Sequence, residues 1–136
     1  MSKGEAVIKF TSRVLDSAIK SSGNAGDFLG HEGGDDFFII TTPDKADAVT
    51  KKIIHDFDCE IKGFYSQEDR DVGYIVEKDR RGETIKFPLM TISMAGVTNQ
   101  LRPVSSYAEL TNIAVSIKAK AKQEKKSNFI LDRRSA

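Results

Sequence analysis

Apolar residues recur at helical spacing in three stretches, with shorter alternating runs between them. From about Lys3 to Ser21, Val7, Phe10, Val14 and Ala18, flanked by Ile8, Leu15 and Ile19, form a wide apolar stripe that predicts an amphipathic helix. Ser21-Ser22-Gly23-Asn24 and Gly26 break it. Next come two apolar runs, Phe28-Leu29 and Phe37-Phe38-Ile39-Ile40, around Gly33-Gly34-Asp35-Asp36. This reads as a β-hairpin whose glycines take positive φ in a tight turn. Asp35 and Asp36 open the second strand, where alternation points them to opposite faces unless the turn twists them together.

Thr42-Pro43-Asp44 supplies an N-cap, a proline at the first helical position and an acid in the first turn. The helix it starts buries Ala46, Val49, Ile53, Ile54 and Phe57, and keeps Asp47, Lys51, Lys52 and Asp56 outside. His55 lies toward its C-terminal end, where a cation suits the helix dipole. Cys59 to Arg70 reads as one brief strand and an acidic loop. Tyr74-Ile75-Val76 and Thr84-Ile85-Lys86-Phe87 read as strands joined by the polar turn Asp79-Arg80-Arg81-Gly82. Leu89 to Val97 alternates, with Met90, Ile92 and Met94 on one side, and predicts a half-buried strand. Ser106-Tyr107-Ala108-Glu109 is a capping box. It opens a last helix with Leu110, Ile113, Ala114, Ile117 and Ala121 inside, stopped by Ser127-Asn128 before a short strand at Phe129-Ile130-Leu131. The order α-β-β-α-β-β-β-α-β predicts an α+β fold, with helices on a central, mostly antiparallel sheet.

At 136 residues the chain is expected to form one domain, 1–136, with a hydrophobic core. A net charge of +1 gives no bulk attraction to nucleic acid polymers or anionic membranes. Lysines and arginines nevertheless gather late in the chain, at Lys118, Lys120, Lys122, Lys125, Lys126, Arg133 and Arg134, which reads as a solvated helix face. The single cysteine, Cys59, excludes an internal disulfide, and His31 and His55 are too far apart to suggest zinc. No apolar run approaches the roughly 20 residues of a membrane span, and no signal peptide precedes the first helix, so the cytoplasm is the expected location.

The hairpin carries the chemistry. Bare amides beside paired carboxylates suit a nucleotide phosphate held through a hard divalent cation. The plain alternative is an ordinary turn with solvated aspartates. Gly33-Gly34-Asp35-Asp36-Phe37, preceded by Phe28-Leu29-Gly30-His31 and followed by Phe38-Ile39-Ile40-Thr41-Thr42-Pro43, resembles the signature hairpin of the GGDEF family. That family comprises diguanylate cyclases, which condense two GTP into cyclic di-GMP, and their degenerate relatives. Further likenesses are Lys3 to Ile8 at the family's first helix, Met90 to Ala95 at its Ser-Ile-Gly strand, and Ala121-Lys122 near its close.

The resemblance implies a nucleotide-cyclase (palm-type) fold lacking its first strand. It implies Asp35 and Asp36 as metal ligands and catalytic groups, and Gly33 and Gly34 as the phosphate cradle. Glu5 would read guanine, and Lys122 would hold phosphate, with Lys125 and Lys126 as rivals. Mg²⁺ is the implied cofactor and GTP and cyclic di-GMP the ligands. A homodimer in which each subunit supplies half a site, and an upstream sensory or receiver domain in a bacterial signalling protein, are the implied partners. In the family, a 3′-hydroxyl attacks the α-phosphate of a second GTP and releases pyrophosphate.

The sequence also departs from the family. Asp36 replaces the usual glutamate, and Lys126-Ser127 stands where a glycine-arginine pair is usual. Of the Arg-x-x-Asp product-inhibition motif only Asp27 remains, with Asn24 in place of the arginine. The first-strand aspartate and following asparagine are not in this chain, which predicts a weakened metal site and an exposed sheet edge. Impaired cyclase activity is therefore expected. The alternatives are a catalytically inactive domain used for nucleotide binding, dimerisation or protein docking, and an unrelated α+β domain.

Overall fold

The computed structural model describes residues 3–100 and 103–133, so Arg134 of the basic tail lies outside the described residues. The fold is α+β and divides into two units, Met1–Met90 and Thr91–Ala136.

In the first unit, the predicted stripe forms α1 (Lys3–Ser22) and buries Phe10, Val14, Leu15, Ala18 and Ile19. That face packs on α2 (Pro43–Glu60), which contributes Val49, Ile53 and Phe57. The Phe10 ring sits 5.4 Å from that of Phe57 and 5.2 Å from that of Phe64. Burying each such side chain contributes about 1.5–3 kcal/mol, and this helix pair forms the unit's core. Outward-facing ion pairs one turn apart, Asp16–Lys20 and Asp47–Lys51, are exposed and contribute little. Asp56 is less exposed than expected: its side chain is 18% exposed and pairs with Lys52 at 3.0 Å. His55 is exposed, with Nε2 4.0 Å from Cys59 Sγ one turn on.

Cys59 to Arg70 contains no strand, contrary to the sequence reading. Helical structure continues through Glu60 into a 3₁₀ turn, Ile61–Phe64, because Phe57, Ile61 and Tyr65 keep facing the core. A short helix, α3 (Gln67–Val72), follows. Ser66 caps it by accepting the Asp69 amide at 3.1 Å, and Gly73 closes it at φ +87°. A serine followed three residues on by an acid, with a terminal glycine, is a helix signature that the acidic composition obscured.

Strands β1 (Phe28–Gly33) and β2 (Asp36–Ile40) form one antiparallel hairpin, and β3 (Tyr74–Lys78) and β4 (Thr84–Pro88) form another. In the second turn, Asp79 Oδ1 accepts the Arg81 and Glu83 amides at 2.9 Å each.

In the second unit, β5 (Ser93–Gly96) leads through α4 (Tyr107–Gln123) to β6 (Asn128–Leu131), which pairs with it in parallel. Ser106 caps α4 as expected, its hydroxyl accepting the Glu109 amide at 3.1 Å, while Glu109 Oε2 reaches one residue past the N-cap and accepts the Ser105 amide and hydroxyl. Helix α4 packs on both strands and buries Ile113, Ile117 and Ala121. The Asn128 side chain then donates to the Ala121 carbonyl at 2.9 Å, an acceptor it shares with the Glu124 amide at 3.2 Å at the helix end.

Strand β5 is shorter than the alternating run from Leu89 to Val97. The Met90 amide donates to Tyr65 Oη at 3.0 Å and the Ile92 amide to Ser127 Oγ at 2.9 Å, so those amides are spent on side chains rather than a ladder.

The expected central sheet is also corrected. Among the described residues the strands pair as three two-stranded ladders, β1-β2, β3-β4 and β5-β6. Alternation marks which residues are extended but carries no information about which edges meet. Among the described residues no helix is long and apolar enough to cross a membrane.

Candidate functional site

The site is the β1–β2 hairpin, and its register explains its shape. Phe28 pairs with Ile40, Leu29 with Ile39, Gly30 with Phe38 and His31 with Phe37. The register then slips, so that Gly33 faces Asp36 and Glu32 is the extra residue of a bulge. Gly34 and Asp35 form the tip. Gly33 has φ +132° and Gly34 φ +54°, backbone that a side chain would strain, so the predicted use of the two glycines holds. Gly30 has a different duty. The ring of Phe38 lies across it, and a Cβ there would collide with that ring. Phe38 also reaches Phe28, with centroids 5.7 Å apart, so an aromatic cover stiffens one face of the hairpin.

His31 holds the tip. Its Nε2–H donates to the Gly34 carbonyl at 2.8 Å, and its ring stacks on Phe37 at 4.3 Å and 10°. Periodicity did not single out this residue. Counting the register back from the glycine turn would set Glu32 opposite Phe37; the bulge at Glu32 is what brings His31 there.

Asp27 holds the base. Oδ2 accepts the Asn24 amide at 2.8 Å and the Thr41 hydroxyl at 2.7 Å, and Oδ1 accepts Asn24 Nδ2 at 3.2 Å. Asn24 Nδ2 also reaches Thr42 Oγ1 at 2.7 Å. Thr42 occupies the N-cap position of α2 as expected, but its hydroxyl makes no capping bond there. The Asn24 amide, then Thr41, the Asn24 side chain and the Lys45 charge, hold the Asp27 carboxyl below the usual aspartate range, against a counteracting effect of partial burial. The residue expected as a remnant of an inhibitory site therefore clamps the two ends of the hairpin.

Gly33, Gly34, Asp35 and Asp36 are thus gathered at one exposed tip. Glu5 lies on the first turn of α1 and is exposed. Lys122 belongs to the second unit, exposed in the last turn of α4, with Lys125 and Lys126 following the helix. Among the described residues no group of three or more His, Cys, Asp or Glu side chains converges as a metal site. Asp35, in the turn, and Asp36, the first residue of β2, are both exposed.

No family model matches the chain, and neither a curated protein nor a solved structure matches it.

Proposed function

We propose that this chain is a GGDEF-type signalling domain of cyclic di-GMP metabolism, which binds a guanine nucleotide and Mg²⁺ at the 33–36 tip and is impaired in turnover. One observation carries the reading. Two left-handed glycines run directly into adjacent exposed carboxylates at the tip of an antiparallel hairpin that follows α1 and precedes α2 in the chain. Asp35 and Asp36 would hold the metal, and the glycines would leave room for phosphate against the backbone. When bound, Mg²⁺ supplies charge neutralisation at the phosphates. The replacement of the family's glycine-arginine pair beside Lys122 supports impairment.

A second reading, an inactive nucleotide-binding or dimerisation module, is favoured by a specific feature of the same hairpin. Its Phe28 and Ile40 are 54% and 62% exposed on one apolar face, as an interaction surface would be.

The test is GTP binding and cyclic di-GMP formation with Mg²⁺, using Asp35→Ala as control. We expect Mg²⁺-dependent GTP binding that falls about tenfold, or ~1.4 kcal/mol, in Asp35→Ala at unchanged thermal stability. Product that vanishes in the variant establishes a cyclase, whereas binding without product supports the inactive module. GTP binding that ignores both Mg²⁺ and Asp35 overturns the tip as the site.

A further inference from the structure

In the second unit, β6 has β5 on one side and no other strand among the described residues. The Asn128 amide donates to the Ile92 carbonyl at 3.1 Å and the Asp132 amide to the Gly96 carbonyl at 2.8 Å. Successive residues of a strand alternate, so the even-numbered positions face β5. Phe129, Leu131 and Arg133 therefore turn their N–H and C=O groups to the open edge.

A cavity of about 490 Å³ lies there, lined by Ile117 and Lys120 of α4 and by the consecutive residues 129–133. A space that touches five consecutive residues of an extended chain runs along its edge, because the side chains of any one face recur only at every second residue. The cavity is a slot with α4 as one wall and the backbone edge of β6 as the other. Ile117 gives the slot an apolar floor, while Lys120 and Arg133 are exposed at its rim. Asp132 also lines the slot, 3% exposed, and the exposed Lys120 and Arg133 outweigh its single negative charge, so the rim is net positive.

We propose that the β6 edge is a docking site for an extended, acidic segment of a partner protein, which adds to the sheet as a third strand. Main-chain hydrogen bonds to Phe129, Leu131 and Arg133 supply the pairing, and Lys120 and Arg133 select carboxylates. A second copy of this chain fits less well. Two-fold pairing of β6 with itself would bring Lys120 and Arg133 of both copies to one slot, where like charges repel.

The experiment uses the full chain, ¹⁵N-labelled, and a synthetic hexapeptide alternating valine and glutamate with blocked ends. Addition of the peptide should shift the amide signals of Phe129, Leu131 and Arg133 and slow their hydrogen exchange, while those of Ile130 and Asp132, already turned toward β5, change less. Lys120→Glu with Arg133→Glu should weaken binding several-fold, with the circular dichroism spectrum unchanged. The same peptide N-methylated at alternate residues should not bind, since it cannot pair through its backbone. Unchanged exchange at millimolar peptide, equal binding of the N-methylated peptide, or equal shifts with decanoate would each overturn the proposal. Protection that appears with protein concentration alone would overturn it in favour of self-association.

Discussion

Asp27 shows how a short motif and a tertiary contact can give one side chain different meanings. Read along the chain, it is the surviving acid of an inhibitory motif. In the fold it accepts hydrogen bonds from Asn24 before β1 and from Thr41 after β2. Its carboxyl is held below the usual aspartate range, so the ionised form is favoured in the folded chain. A depressed folded value contributes stability above the unfolded value of about 3.9, and that stability is lost as pH falls through the folded value. Asp27→Ala should therefore lower the thermal midpoint near neutrality by several degrees, and the gap to wild type should close as pH drops below about 4. A gap that stays constant over that range, followed by circular dichroism, would count against the clamp. The glycines at the tip were legible because positive φ is a property of single residues. The roles of Asp27 and His31 were not, since each depends on a partner that arrives only once the hairpin closes.

The helices were read well where periodicity and caps agreed. Helix α1 runs from Lys3 to Ser22, and the Thr42-Pro43 and Ser106 starts fall where the sequence placed them. Ser106→Ala should destabilise α4 by about 0.5–2 kcal/mol, measured by urea denaturation, because the Glu109 amide loses its acceptor. The equivalent change at Thr42 should not act through a cap, since its hydroxyl serves Asn24 instead. The misread stretch was Cys59 to Arg70. Its apolar positions Ile61, Phe64 and Tyr65 fit a strand or a helical continuation over so few residues, and only packing against Phe10 decides. The truncation of β5 has a similar origin, because the hydroxyls of Tyr65 and Ser127 intercept amides that alternation alone assigned to a ladder.

Across the molecule, stability should be uneven. The helix pair around Ile53, 1% exposed, forms a core, whereas every residue of β4 is exposed. A two-stranded hairpin is marginal on its own. In native-state hydrogen exchange, amides in the middle of α2 should exchange at least ~100-fold more slowly than those of β3 and β4. Equal protection would mean that the hairpin is covered. What could be read from residue order alone was local: helix faces from spacing, starts from caps, the tight turn from paired glycines, and strands from alternation. These effects act within a few residues and need no knowledge of the rest of the fold. The folded structure decided which strands meet, that the Met90 and Ile92 amides go to side chains, and that β5 pairs in parallel with β6 at the far end of α4. It also decided that β6, beside Lys120 and Arg133, pairs with β5 and with no other strand among the described residues. Such pairings join positions some 35 residues apart, and they are selected by packing and loop closure, which no local pattern records.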